Sequence, residues 1–169
     1  ALNPIEYSVA FSHKAIYGQL FNNIRQPSTY VKRIRGEFYD QTNRVISKEE
    51  AIQLTQNLSS FIIKPTIDTS VGKNVYKVTN PSDTNINELY DNVGKDFIIQ
   101  EVVSQSEQTA ALNPTSLNTL RISTLYLNGE FSVSSIVIKM GRDDLFVDNL
   151  GAGGLILGVQ DDGKLKDFA

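Results

Sequence analysis

Lys64 closes the apolar run Phe61-Ile62-Ile63 and is followed by Pro65. Desolvating an unpaired ammonium is costly. Lys64 therefore either snorkels out at a strand end or points a cation into a cleft, toward an anion such as phosphate. The loop Thr66 to Lys73 supports the second use. Its hydroxyls, the Gly72 backbone and the Lys73 ammonium can cradle phosphates. Gln100 and Glu101 interrupt a second apolar run, Phe97 to Val103. They either reach the surface or mark a hinge, Gln100-Glu101-Val102-Val103, that offers backbone N–H and C=O groups to a purine edge. Arg121 lies in a β-rich run, Lys139 ends the next one, and Arg142 follows it. Asp148-Asn149-Leu150-Gly151-Ala152-Gly153-Gly154 is either a flexible turn or backbone brought close to a ligand, with Asn149 as a polar contact.

The β-rich runs Leu120 to Leu127 and Glu130 to Lys139 are joined by Asn128-Gly129, the strongest short hairpin signal. A two-residue turn pairs Leu127 with Glu130. Counting back, Arg121 faces Ile136 and Asn118 faces Lys139. Asn118 and Lys139 then share one face, with Thr119 and Arg121 on the other. For Arg121 and Lys139 to serve one site, a bulge or twist must bring them together.

The elements that position these groups follow from patterning. His13 to Asn22 reads as a helix with Ser12 as its cap. Tyr30 to Tyr39 and Asn43 to Ile46 read as extended pieces, with turns near Gly36 and Asp40. Ser47 opens a helix through the capping box SKEE. Strands are expected over Phe61 to Pro65, Asn74 to Val78 and Phe97 to Val103. A short helix is expected over Asn85 to Val93, and loop or short helix over Ser104 to Ser116. A last strand follows the glycine-rich turn. Helices and strands alternate without a βαβ rhythm, so the fold class is α+β.

The chain has 169 residues and a net charge of −3. That length suits one domain or two small lobes. With no cysteine and one histidine, disulfides, thiolate catalysis, Cys-type zinc sites and multi-His metal centres are excluded. His13 reads as a surface residue, and without a serine motif a Ser-His-Asp hydrolase is not expected. The acidic balance argues against nucleic acid as the main partner. No apolar run approaches the ~18 residues of a membrane span. The N-terminus has no signal-peptide pattern, so a cytoplasmic location is expected. Neither GxxxxGK[ST] nor GxGxxG is present, which speaks against a P-loop or Rossmann site.

The order of these signals resembles the ATP-grasp superfamily, and most of all the ATP-grasp domains associated with bacterial sugar transfer and surface-polysaccharide clusters. FIIQEVVSQ, ALNPTSLNTLRISTLYLNGEFSVSSIVIKMGR and VDNLGAGG carry the likeness from Phe97 onward. SHK and FIIKP extend it more loosely. The hinge-then-arginine order also resembles RimK-type ligases, and SHK with IIKP resembles D-alanine–D-alanine ligases. The resemblance implies an ATP-grasp fold of two α+β lobes with a nucleotide cleft between them: a small lobe at 1–99, and the hinge with the first part of a large lobe at 100–169. It implies that Lys14 and Lys64 contact nucleotide phosphates, with Gly72 and Lys73 in a phosphate lid. Gln100, Glu101, Val102 and Val103 would bind adenine. Arg121 and Lys139 would be the catalytic cations. Asn149, Gly153 and Gly154 would hold the acceptor, and Asn118 and Arg142 are assigned with them to substrate.

The implied reaction is an ATP-dependent ligation through an acylphosphate, with ATP and Mg2+ as cofactors and a small carboxylate or sugar-linked acceptor as partner. No metal ligand is assigned, because the family's late Glu-x-Asn segment is not found before Ala169. The expectation is therefore a fragment with a truncated second lobe and little activity of its own. A non-catalytic ATP-grasp-like binding domain is the alternative. A kinase-like phosphotransferase is disfavoured by the absence of HRD and DFG.

Overall fold

The computed structural model describes residues 11–67, 73–142 and 148–166, and every strand pair in it is antiparallel. The chain divides into two units, Ala1–Val102 and Val103–Ala169. The break falls after Val102 rather than at residue 99, because Gln100 completes the central strand of the first unit.

In the first unit, β1 (Thr29–Ile34) turns at Arg35-Gly36 into β2 (Glu37–Asp40), and β3 (Val45–Ile46) follows. Both turn residues have positive φ, 53° and 90°, the type I′ geometry whose twist matches a hairpin. β4 (Phe61–Pro65), β5 (Tyr76–Val78) and β6 (Phe97–Gln100) complete a six-stranded sheet in the order β3-β2-β1-β6-β4-β5. Strand side chains alternate between faces. Val31, Phe38, Phe61, Ile63, Phe97 and Ile99 therefore point to one side, where α2 (Lys48–Gln56) and α3 (Ile86–Val93) cover them. Ser47 caps α2 as the sequence predicts, accepting from Glu50 N–H at 3.1 Å while the Glu50 carboxylate accepts from Ser47 N–H at 2.8 Å. Inside this core the Tyr90 hydroxyl meets Thr55 Oγ1 at 2.6 Å, and burial pushes its pKa up to about 12.

Two expectations need correction. The helix predicted over His13 to Asn22 is a 3-10 turn, Lys14–Ile16, running into one α turn, α1 (Tyr17–Leu20). His13 rather than Ser12 holds the cap position, and its side chain makes no capping bond. Only Ala15 is buried in these two turns, too little packing to sustain a longer helix. The strand expected to reach Val103 ends at Gln100, where β1 and β4 stop pairing with it.

In the second unit, α4 (Glu107–Ala110) precedes a three-stranded sheet in the order β7-β8-β9. β7 (Thr119–Leu127) and β8 (Glu130–Met140) form the expected hairpin, with Asn128 and Gly129 at φ 53° and 87°. β9 (Leu155–Gly158) pairs with the far end of β8.

Candidate functional site

The first unit gathers two cations. Cross-strand pairing puts Lys64 beside Ile98 and Ile98 beside Lys32, so all three share the sheet face opposite the helices. The 3-10 turn of Lys14–Ile16 packs against β6. Lys14 N–H donates to the Thr66 carbonyl at 3.1 Å, which fastens that turn to the end of β4. Burial holds the Lys64 ammonium below the ordinary lysine range, and the positive charge of Lys14 lowers it further. Lys64 makes no ion pair among the described residues. The charge of Lys14 close to a partly desolvated Lys64 makes this end of β4 a candidate site for an anion such as a polyphosphate.

Lys32 is a buried lysine that the sequence reading missed. Its Nζ donates to Asn43 Oδ1 at 2.6 Å, and burial lowers its pKa. Its only trace in the sequence is Lys32-Arg33 inside a β-rich run. Lys73 is exposed, and Gly72 lies outside the described residues.

The expected hinge residues differ from one another. Gln100 is buried, its backbone sits in register between Thr29 and Ile62, and its Nε2 donates to Thr29 Oγ1 at 2.9 Å. The Glu101 carboxylate accepts from Ser28 N–H at 3.0 Å, with Arg25 at 3.9 Å. The Ser28 bonds, helped by Arg25, hold Glu101 below the usual carboxylate range. Val102 and Val103 lie beyond the ladder, without assigned secondary structure.

The second unit answers the register question. Thr119 pairs with Lys139 and Arg121 with Val137, whereas beyond Ser123 the pairing is Thr124 with Val133. Ser134 is the extra residue of a β-bulge, and its hydroxyl donates to the Ser123 carbonyl at 3.2 Å. The bulge advances the register by one, so Thr119, Arg121, Val137 and Lys139 all point to the same face. Asn118 does not share Lys139's face as the uninterrupted count required, because that count had no bulge.

Asn118 is instead a buried clamp. Its Nδ2 donates to the carbonyls of Thr109 and Asn113 at 2.7 and 2.8 Å, and its Oδ1 accepts from Ser116 Oγ at 2.9 Å. With both amide hydrogens used, it fixes the segment entering β7 rather than reaching outward. Ser116 Oγ accepts from Gly141 N–H at 2.8 Å, tying the same segment to the end of β8. Arg142, next in the chain, is exposed.

The glycine-rich turn has a structural account for each of its groups. Asn149 Oδ1 accepts from Gly151 N–H at 3.0 Å and caps a 3-10 turn over Leu150–Ala152. Gly153 ends that turn at φ 93°, a left-handed geometry suited to glycine. A Cβ on Gly154 would lie 2.8 to 2.9 Å from the carbonyl oxygens of Asp148, Met140 and Asn149. The Asp148 carboxylate accepts from the Thr119 hydroxyl, which joins the turn to the Arg121 face. The contact of Asp148 with Thr119 is invisible in the sequence without the fold.

Two antiparallel α+β units are consistent with an ATP-grasp fold. The family model for sugar-transfer associated ATP-grasp matches residues 1–169, and the chain belongs to that family. No curated protein and no solved structure gives a match to the chain.

Proposed function

We propose that the chain is the ATP-binding part of an ATP-dependent carboxylate–amine, or carboxylate–nucleophile, ligase that modifies a sugar or surface polysaccharide. The observation that supports this reading is Lys64 at the end of β4, whose ammonium is held below the ordinary lysine range by burial and by the nearby charge of Lys14, an environment suited to a polyphosphate ligand. ATP supplies a γ-phosphoryl group that turns a carboxylate into an acylphosphate, which an amine or other nucleophile then displaces. Lys14 and Lys64 hold the phosphates, with Gly72 and Lys73 beside them in the lid. Val102 and Val103 offer backbone groups to adenine, while Gln100 and Glu101 hold that segment to β1 and Ser28. Arg121 and Lys139, on one face of the hairpin, neutralise charge on the acylphosphate side. Asn149, Gly153, Gly154 and Arg142 shape the acceptor end. Little covalent chemistry falls to the protein in such a transfer, so cations and positioning supply the catalysis.

No group of three or more His, Asp or Glu able to hold a metal ion occurs among the described residues. The test is product release by the full-length polypeptide that bears this chain. ADP and phosphate should appear only when a carboxylic acid and an amine are both present. Nucleotide binding without turnover for any acid–amine pair would favour a non-catalytic ATP-grasp binding domain. No helix among the described residues is long and apolar enough to cross a membrane.

A further inference from the structure

Beyond β9 the chain reverses at Gln160 to Lys164 and returns alongside it. Val159 bridges to Leu165, and Lys166 N–H donates to the Gly158 carbonyl at 2.9 Å. The side chain of Lys166 then lies over Gly158. A Cβ on Gly158 would fall 2.6 Å from Lys166 Cδ and 3.2 Å from Cγ, so the missing side chain is the seat of the lysine stem. Gly158 pairs with Val137, and Val137 with Arg121. These three form one cross-strand row on one face. At the usual ~4.8 Å strand spacing, Arg121 and the Lys166 seat are about 10 Å apart. Lys139 sits on the same face, one row away.

Where β9 ends, the bulged part of β8 has no second strand partner among the described residues. The returning turn roofs that stretch and leaves a notch of about 210 Å³. Ser134, Ser135, Asp161 and Lys166 supply its polar groups, and Val137 and Gly158 join it to the Arg121 row. Its volume falls below the ~300–1,000 Å³ of sites for drug-sized ligands, which suits a group of monosaccharide size. Arg121, Lys139 and Lys166 make no ion pair among the described residues, whereas the neighbouring Lys164 is paired with Asp162 at 2.8 Å. Hydroxyls and a carboxylate in the notch are partners for sugar hydroxyls. The three cations are partners for an anion on the same molecule.

We infer that this notch is the subsite for a sugar acid, with the ring against Ser134, Ser135 and Asp161, the anionic group toward Arg121 and Lys139, and Lys166 as the third cation, seated by Gly158. The inference rests on the ligase reading and names the class of its acid substrate. The test is NMR titration of the full-length polypeptide with D-glucuronate, D-glucose and acetate in parallel, alongside a separate titration with ATP and Mg2+. Glucuronate should shift the amides of Ser134, Ser135 and Gly158 at concentrations where glucose and acetate leave them in place. Lys166→Met should weaken glucuronate about tenfold, the loss of a charged hydrogen bond. Gly158→Ala should weaken it as well, though it removes no polar group, and both variants should bind ATP as the wild type does. Failure of the wild type to bind ATP overturns the ligase reading. Intact ATP binding overturns the sugar-acid subsite alone if glucuronate binds no better than acetate, or equally well after Lys166→Met.

Discussion

The two units spend their hydrophobic residues differently. In the first, Phe61, Ile63, Tyr90, Phe97 and Ile99 are fully buried between a six-stranded sheet and two helices. In the second, one face of the three-stranded sheet keeps Leu120, Ile122, Tyr126 and Phe131 exposed, with Phe131 at 80%. Its order comes from hydrogen bonds at the ends of the strands: the Asn118 clamp, the Thr119–Asp148 contact and the turn around Gly154. The candidate cations are held accordingly. Packing fixes Lys64 by burying it, so its position carries a standing electrostatic penalty. Register fixes Arg121 and Lys139, so a single extra residue decides which way they face.

The sharpest way to break the comparison is to remove that residue. Deleting Ser134 restores the uninterrupted register and sends Arg121 and Lys139 to opposite faces. Ligase turnover should fall by at least ~10²-fold, the scale for losing one preorganised charge stabiliser. The circular dichroism of the sheets and the unfolding of the first unit should stay as they are. Replacing Ser134 with Ala keeps the register and should keep turnover within a few-fold of wild type, which separates the bulge from its hydroxyl.

Gly154→Ala probes the second unit's dependence on close backbone approach. A methyl group 2.8 to 2.9 Å from three carbonyl oxygens forces the turn open. A loss of about 1–3 kcal/mol is expected from denaturant unfolding of that unit, the range for overpacking. In the first unit, Ser47→Ala removes one half of a reciprocal cap and should cost about 1 kcal/mol, measured the same way.

Lys64→Met should act with the opposite sign. The folded state holds the Lys64 proton less tightly than the unfolded chain, whose value is 10.5. The penalty is complete below the depressed folded value and fades as pH rises toward 10.5. The variant should therefore melt slightly above wild type at pH 7, with the gap closing as pH approaches 10.5. An unchanged or lower melting temperature at pH 7 would mean that an unrecognised partner compensates Lys64.

Local chemistry made much of this legible in the sequence. The capping box at Ser47, the Asn128-Gly129 turn and the apolar strand ending at Pro65 are written in neighbouring residues. So was the condition that a bulge or twist must exist if Arg121 and Lys139 act together. The bulge's location was not legible, because Ser132, Ser134 and Ser135 can each fill it and only pairing with β7 selects Ser134. Asn118 was misassigned to Lys139's face for the same reason. Lys32 escaped notice, and so did the partner of Asp148, because Asn43 and Thr119 become their neighbours only through sheet pairing and loop closure. The first helix was overread: apolar spacing suggested His13 to Asn22, but an apolar stripe stabilises a helix only where something packs on it.

The central claim is that Lys14 and Lys64 form a phosphate site for ATP. Titrating ATP with Mg2+ into the full-length polypeptide, as wild type, Lys14→Met, Lys64→Met and the double variant, tests it most directly. Each single change should weaken binding about tenfold or more, as expected for a charge-assisted hydrogen bond. The double change should cost less than the two singles combined, because both lysines hold one polyphosphate. Saturable ATP binding that is indifferent to Lys64→Met would contradict the account.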